Sequence, residues 1–202
     1  MILPRTEDVE YDVAHWHDIF VFVKRTPETP NSEIVVALRS SPTVQRTILP
    51  HSSDFKIEDI ALSERFTAVF GRIGGLQQGS VYELPTTYDA DAIRMDAGRK
   101  LEFDEPAYEM GLTSQGEFDS EVVAISYTSL TTPPTTFWQN MATGVRVIKK
   151  VHPVLGGFVK GDYVTERISA TSPDGVKVLL VTQFTSAPVS KLIYFVFCET
   201  LI

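Results

Sequence analysis

Cysteine is nearly absent from this sequence: Cys198 is the single cysteine among 202 residues. One thiol cannot form a disulfide within the chain, so the sequence excludes a disulfide-stapled scaffold and favours a reducing compartment. The residues around Cys198 are apolar and include no histidine or other base, so we expect an inert thiol rather than a reactive one. We predict a cytoplasmic protein.

The sequence also lacks a long hydrophobic run. Its most apolar stretch, residues 192–197, is far shorter than the roughly 20 residues that a membrane-spanning helix needs. The first residues include Arg5 but also Glu7, Asp8 and Glu10, with none of the apolar core of a secretory signal. We therefore expect no leader and no membrane association.

Positive charge is scarce and scattered. The chain has 18 Lys and Arg against 26 Asp and Glu, a formal net charge of −8, and its basic residues occur singly or in pairs such as Lys149-Lys150. Proteins that bind nucleic acids cluster Lys and Arg against the phosphates. The sequence argues against a nucleic-acid partner.

Helical periodicity is missing as well. No segment longer than one turn keeps a 3.6-residue apolar period with caps at both ends. Short runs rich in β-branched and aromatic residues alternate with turn residues instead, which is typical of strands. The predicted strands cover residues 19–23, 34–38, 44–49, 66–70, 80–84, 100–103, 122–127, 135–138 and 145–148. We predict an all-β sandwich, barrel or propeller with little helix.

An internal repeat favours the propeller. Segments that begin at Val9, Ile57 and Tyr108 open alike and recur at roughly fifty residues, a spacing found in propeller blades. A propeller has four to eight blades, and this chain has room for about three. The predicted blades cover roughly residues 9–52, 53–103 and 104–153, with residues 71–79 as a glycine-rich turn in the second.

The pattern changes after Val151. Residues 154–162 are rich in glycine and are typical of a linker. Two strand-like runs, 163–170 and 176–181, then flank Pro173-Asp174-Gly175. Asp-Gly between such runs predicts a β-hairpin with a type I′ turn, whose two central residues both need positive φ. We interpret this hairpin as the beginning of a second domain.

Nucleophilic catalysis finds no support in the sequence. A serine hydrolase of the α/β class presents its nucleophile in a Gly-x-Ser-x-Gly turn. The three glycine pairs with that spacing enclose Ile73, Gln77 and Val159. The acid and histidine of that class follow the serine, yet the last histidine, His152, precedes the hairpin. We assign no catalytic residue.

Metal and cofactor sites are equally unsupported. His15 and His17 share one face if both lie on a strand, but a closed metal site needs three or four ligands and only His51 and His152 remain. Residues 71–75 lack the Gly-Lys-Ser/Thr ending of a phosphate loop, so we predict a blade turn there. We assign no metal-binding and no cofactor-binding residue.

Two side-chain groups have competing interpretations. Glu102, Asp104 and Glu105 either attract basic peptides to a pore or line a solvated strand edge, and we favour the edge, where charge discourages aggregation. Phe137 and Trp138 either form a ligand platform or pack between blades, and we favour packing.

Several motifs in the second half carry a family resemblance. They are Glu105-Pro-Ala-Tyr108, Tyr127-Thr-Ser-Leu-Thr-Thr-Pro133 with Phe137, Thr143-Gly144 before Ile148-Lys-Lys150, Gly157-Phe158, Tyr163, Glu166-Arg167 and residues 170–178. In these residues the chain resembles the oligopeptidase B branch of the prolyl oligopeptidase family. The first half fits more loosely, through Asn31-Ser-Glu-Ile34 and Ile57-Glu-Asp59.

The resemblance implies a seven-bladed propeller that caps an α/β-hydrolase domain. Members of that family are serine peptidases that cleave short peptides, and oligopeptidase B cuts after Arg or Lys. On this basis residues 1–153 correspond to about three blades, 154–162 to a return linker, and 163–202 to a truncated start of the hydrolase domain with a divergent tail. The resemblance places the Ser, Asp and His beyond this chain. A truncated gene, a frameshift and an incomplete gene model each explain that pattern.

Three functional hypotheses remain open. The chain is a propeller fragment of an oligopeptidase B-like peptidase and inactive on its own; or it is a binding or scaffold module without enzymatic activity; or it associates with a separately encoded remainder of the enzyme. Three blades cannot close a ring, so apolar blade faces stay exposed and we expect self-association through open blade edges.

Overall fold

The computed structural model describes residues 2–87, 89–114, 116–175, 177–185 and 199–200, with residues 199 and 200 described by their backbone alone. The predicted all-β class is confirmed: three four-stranded antiparallel sheets precede a β-hairpin with a short third strand. Helical structure in the described ranges consists of two 3-10 turns, Ala90–Ala92 and Lys160–Asp162. None of the helices described is long and apolar enough to cross a membrane.

The first sheet is a meander with the spatial order β1-β2-β3-β4. Its strands are β1 (Glu10–Trp16), β2 (Ile19–Thr26), β3 (Thr29–Leu38) and β4 (Arg46–Leu49). Two-residue turns join β1 to β2 and β2 to β3, which fixes the register of Trp16 against Ile19 and of Thr26 against Thr29. The last strand begins at Arg46, two residues later than the predicted run.

The second sheet repeats this order with β5 (Phe55–Leu62), β6 (Phe66–Ile73), β7 (Leu76–Glu83) and β8 (Arg99–Lys100). The predicted glycine-rich turn at 71–79 is wrong in extent, because the turn is only Gly74-Gly75, whose φ angles are 53° and 77°. Gly71 lies within β6, where a Cβ would stand 2.2 Å from the Lys56 carbonyl oxygen. That glycine permits close strand approach rather than a turn. The predicted strand at 100–103 ends at Lys100.

The third sheet has the spatial order β9-β10-β11-β12, so β10 and β11 are its central strands. Its strands are β9 (Glu109–Ser114), β10 (Val122–Thr128), β11 (Thr135–Asn140) and β12 (Arg146–Val151). Register shifts interrupt the pairing beside Ile125 and beside Phe137. Such bulges re-aim the side chains that follow them.

The hairpin pairs β13 (Tyr163–Thr171) with β14 (Lys177–Thr185), and β15 (Glu199–Thr200) adds to β14. The predicted type I′ turn is wrong. The Gly175 N–H donates to the Ser172 carbonyl, so Pro173 and Asp174 are the central residues, and neither has a positive φ. Positive φ occurs at the next residue, Gly175, at 87°.

Strand alternation builds two cores around the second sheet. Strand β6 is buried on both faces, since Val69 packs toward the first sheet while Ala68 and Phe70 pack toward the third. The first core joins Trp16, Ile19, Val21, Ile34, Val36 and Ile48 to Ile57, Ile60, Leu62, Val69, Leu84, Ile93 and Met95. The second joins Ala61, Phe66, Ala68, Phe70, Val81 and Leu101 to Met110, Val123, Ile125, Tyr127 and Met141. The three sheets therefore stack face to face.

Candidate functional site

Glu105 lies in the segment that connects β8 to β9, and its carboxylate is enclosed by donors. Thr131 Oγ1 donates to Oε1 at 2.5 Å, Thr132 Oγ1 lies 3.0 Å from both carboxylate oxygens, and the Tyr127 hydroxyl donates to Oε2. The Lys160 ammonium lies 3.0 Å from Oε1. The side chain is only 14% exposed, so the prediction of a solvated edge is wrong for Glu105.

The sequence groups Glu105 with Glu102 and Asp104 because it shows only that all three carry a negative charge. Glu102 and Asp104 are exposed, as predicted for a solvated edge. Residues 104–107 form bends rather than a strand, so no strand alternation indicates which of the three carboxylates is enclosed. In the structure Phe103 and Glu105 both contact Tyr127. The donors of Glu105 come from 22 to 27 residues further along the chain and from the linker, a pairing that no local pattern contains.

The environment of Glu105 keeps it ionised. Burial alone raises the pKa of its carboxyl, but hydrogen bonds from Thr131, Tyr127, Lys160 and Ser129 outweigh it and lower the pKa to about 2. Burial, together with the hydrogen bond to Glu105, raises the pKa of Tyr127. A carboxylate this weakly basic and a phenol this weakly acidic do not exchange protons near neutral pH. Glu105 therefore holds Tyr127, the loop at 131–132 and Lys160 in place rather than acting in acid–base catalysis.

An aromatic layer backs the Glu105 cluster. The rings of Phe103 and Tyr127 stack with centroids 4.5 Å apart, and Phe137 packs edge-on to Tyr127 at 5.9 Å. The guanidinium of Arg146 lies 4.0 Å from the Phe103 centroid, and its Nε donates to the buried Gln139 Oε1 at 2.9 Å. Burial lowers the pKa of Arg146, although its interactions with Tyr127, Asp104 and Tyr108 oppose that shift.

Arg146→Lys should lower the free energy of unfolding by about 1–2 kcal/mol, because an ammonium cannot cover the ring and bond Gln139 in one plane. Chemical denaturation followed by circular dichroism measures the loss. Lys150→Arg, on the same strand, is the matched control and should change stability by less than about 0.5 kcal/mol. Equal effects of both substitutions would contradict the cation–π assignment.

The two members of the aromatic pair have different environments. Phe137 packs against the second core, as predicted. Trp138 is 49% exposed on the opposite face, where the Lys149 ammonium lies 3.7 Å from its ring centroid, so packing between blades is wrong for this residue. Adjacent residues of one strand point to opposite faces, which separates them.

A cleft of about 280 Å³ adjoins the Glu105 cluster, and we call it the junction cleft. The β6–β7 turn, the start of β9, the loop after β10 and the hairpin form its walls. The lining residues are Arg72, Gly75, Leu76, Ala107, Tyr108, Glu109, Thr128, Ser129, Leu130, Arg167, Leu179 and Val181. Arg167 donates to the Gly74 carbonyl across it, and Glu105 holds the loop wall through Thr131 and Thr132. The cleft is therefore a junction between sheets and hairpin.

The other candidate residues do not converge on a site. His15 lies in β1, but His17 follows that strand with φ 52°, so the two histidines do not share a strand face. Within the part of the chain that the structure describes, no three His, Cys, Asp or Glu side chains are grouped as metal ligands. Cys198 lies outside the described residues.

The glycine pairs are likewise not brought to a catalytic geometry. Ile73 ends β6, and Gln77 lies in β7, where its Oε1 accepts the Met110 N–H at 2.5 Å. Val159 lies in the linker and is 56% exposed. The residues that the structure singles out, Glu105 and Lys160, were not predicted as a pair, although Glu105 belongs to the motifs that carry the family resemblance.

Comparison with known proteins identifies the family. Residues 1–152 match the family described as the prolyl oligopeptidase, N-terminal beta-propeller domain. The chain belongs to the prolyl oligopeptidase family. Dipeptidyl aminopeptidase BI of Pseudoxanthomonas mexicana is 32% identical to it over 184 residues, which is 90% of this chain and 24% of that protein. Protease 2 of Moraxella lacunata is 25% identical over 86% of this chain and 24% of its own length.

Solved structures point to the same branch. Oligopeptidase B from Trypanosoma brucei, in a closed form with covalently bound antipain, superposes with a TM-score of 0.83 and 28% identity over 94% of this chain and 27% of that one. Oligopeptidase B from Leishmania major superposes with a TM-score of 0.81 and 28% sequence identity, over 92% of this chain and 26% of that one. The predicted resemblance to oligopeptidase B is confirmed, and the chain spans about a quarter of the length of these relatives.

Proposed function

We propose that this chain forms propeller blades, a return linker and the first hairpin of an oligopeptidase B-like serine peptidase. The complete enzyme hydrolyses short peptides after Arg or Lys in the cytoplasm, and the 202 residues alone do not cleave peptides. The division is 1–153 for blades, 154–162 for the linker and 163–202 for the start of the hydrolase domain. The supporting observation is the agreement with oligopeptidase B across 94% of the chain.

The packing of the three sheets supports a role as a rigid wall around an active site. Two continuous cores join the three sheets, so they resist separation and form a rigid surface. The hairpin meets this surface at the junction cleft, on the side that leads to the remainder of the enzyme in our proposal. A rigid wall around an active site admits only short, unfolded peptides.

The chemistry of the chain supports its inactivity. Its sequence contains no Gly-x-Ser-x-Gly motif, and the ionised carboxylate beside the cleft has a pKa of about 2, too low for a general base near pH 7. Tyr127 keeps its proton at neutral pH and donates a hydrogen bond to Glu105. These residues hold the fold together without supplying a nucleophile.

The purified chain should release no fluorophore above the buffer rate from peptides that carry Arg or Lys before a fluorogenic leaving group. Oligopeptidase B from Trypanosoma brucei under the same conditions is the positive control. Turnover by the chain that an active-site serine reagent abolishes would overturn the inactivity. Turnover that the reagent leaves unchanged would indicate a contaminant and require a cleaner preparation before the comparison is made.

The proposed place in a peptidase is tested in the cells that make this chain. An antibody raised against it should precipitate an Arg- or Lys-directed activity, and a serine-directed probe should label either the same polypeptide or a co-precipitating one. Peptides with blocked and free amino ends distinguish an endopeptidase from removal of dipeptides, which the name of the Pseudoxanthomonas relative describes. A precipitate without activity or label would contradict the peptidase assignment and favour a scaffold module.

A further inference from the structure

The last strands of the three sheets leave very different edges open. Strand β4 has four residues, one of them buried, and Arg46 at its start donates to the Ala90 and Ile93 carbonyls of a neighbouring segment. Strand β8 has two residues. Strand β12 has six, and every one after Arg146 is exposed. Of these three last strands, β12 therefore presents the longest open edge.

Strand β12 combines apolar and positively charged side chains. Val147, Ile148 and Val151 are 48%, 60% and 49% exposed. Lys149 and Lys150 are exposed between them. Within the described residues β12 pairs with β11 on one side, so its other edge presents backbone N–H and C=O groups that have no strand partner. In a chain of net charge −8, this edge is a positively charged exception.

Strand β1 presents an open edge of the opposite charge. It is the first strand of its sheet and, in the part of the chain that the structure describes, pairs with β2 alone. Glu10, Asp12 and Val13 are exposed along it, and the acidic pair Glu7-Asp8 lies just before it. The Glu10 carboxylate lies 3.2 Å from Arg25, but both side chains are exposed, so the carboxylate stays accessible to a further partner.

Charge decides which of these edges can meet. Two β12 edges would place lysines opposite lysines, and two β1 edges would place carboxylates opposite carboxylates, and like charges directly opposite each other destabilise a strand pair. Pairing of β1 with β12 instead brings opposite charges together and covers apolar side chains of both strands. The open edge of the hairpin strand β13 offers no such selection, since it carries Glu166 beside Arg167.

The two edges cannot pair within one molecule. The second sheet lies between the first and the third, since one core joins it to the first sheet and the other core joins it to the third. Strand β1 of one copy can therefore reach β12 only on another copy. Such a contact uses different surfaces on the two partners, so it adds copies in a line or a ring instead of stopping at a dimer.

We propose that copies of this chain associate by strand pairing, with β1 of one copy added to the β12 edge of the next. The occupant of the β12 edge is thus a second copy of this chain, held by backbone hydrogen bonds and by opposite charges across the two strands. Raised ionic strength weakens the association, because the charges are exposed to solvent. This inference goes beyond the proposed peptidase role, and its failure leaves that role untouched.

The test exchanges the charges of the two edges in the full chain. Lys149→Glu with Lys150→Glu makes both edges acidic, and Glu10→Lys with Asp12→Lys makes both basic. Each pair of substitutions should raise the apparent dissociation constant about tenfold or more in sedimentation velocity, since attractions become repulsions. The variant with all four substitutions restores opposite charges and should assemble like the parent. Circular dichroism melts close to that of the parent show that the variants fold.

Hydrogen exchange of the parent chain identifies the surfaces that meet, and it needs no substitution. Amides of β1 and β12 should exchange more slowly at high than at low protein concentration, whereas amides of β4, the control edge, should be unchanged. A parent that stays monomeric as its concentration rises would overturn the proposal. So would folded single-edge variants that assemble as the parent does, a folded four-substitution variant that stays dissociated, or association that leaves β1 or β12 unprotected.

Discussion

Trp16→Ala is expected to lower the free energy of unfolding by about 3–5 kcal/mol, a large fraction of the roughly 5–15 kcal/mol by which an ordinary domain is stable. Trp16 ends β1 and is 0% exposed in the core between the first and second sheets. Its Nε1 donates to the Glu64 carbonyl at 2.9 Å. Alanine leaves a cavity and removes that donor, so both the packing and the hydrogen bond are lost.

The chain contains its own matched control for this substitution. It has two tryptophans, and Trp138 is 49% exposed on the third sheet. Trp138→Ala should cost less than about 1 kcal/mol in urea unfolding followed by circular dichroism. Trp16→Phe, which keeps most of the ring but not the N–H, should fall between them. Equal losses for the two alanine variants would contradict the packing of the first sheet on the second.

Glu105→Gln is expected to lower the free energy of unfolding by about 1–2 kcal/mol at pH 7. This loss is smaller than the free energy that corresponds to the whole pKa shift, because solvent screens the half-exposed Lys160. Glutamine has nearly the same shape, but it loses the charge and directs an amide toward donors. The ordinary pKa of the carboxyl is 4.5 and its folded value is about 2, so ionisation favours the folded state.

Because folding lowers the pKa of Glu105, its contribution to stability depends on pH in a defined direction. A lowered folded pKa contributes stability that is fully present above pH 4.5 and is lost as the pH falls from 4.5 toward 2. The difference between parent and variant should be constant from pH 7 to about 5.5 and shrink below 4.5. Urea unfolding across that range measures it, and Glu102→Gln, at an exposed position, is the control. A difference that grows toward pH 3 would show that the carboxylate is not the stabilising form.

Trp16 and Glu105 lie in different parts of the chain and stabilise different parts of the structure. Trp16 belongs to a core that any stack of sheets requires, whereas Glu105 holds a loop and a linker at the junction with the hairpin. In the proposed enzyme the first kind of residue maintains the wall. A residue such as Glu105 instead positions the connection between the blades and the remainder of the protein.

Strand content was predictable because it depends on local chemistry. Alternating and β-branched runs favour a pleated, half-buried backbone wherever they occur, so nearly all the predicted strands are present. Errors arose where neighbours in space decide. Gly71 suggested a turn but lies in β6 against the Lys56 carbonyl. Asp174-Gly175 suggested a type I′ turn, but the turn is centred one residue earlier, because the fixed negative φ of Pro173 suits the first central position.

Residue types at fixed spacings were enough to predict the all-β class, the fifty-residue repeat, the family resemblance and the lack of a nucleophile motif. Contacts between distant residues were needed to show that Glu105 is enclosed and ionised rather than exposed at an edge, and that Lys160 binds it from the linker. There Glu105 meets Tyr127, 22 positions away, and Lys160, 55 positions away. Burial and pKa follow from those long-range contacts, which no local spacing encodes.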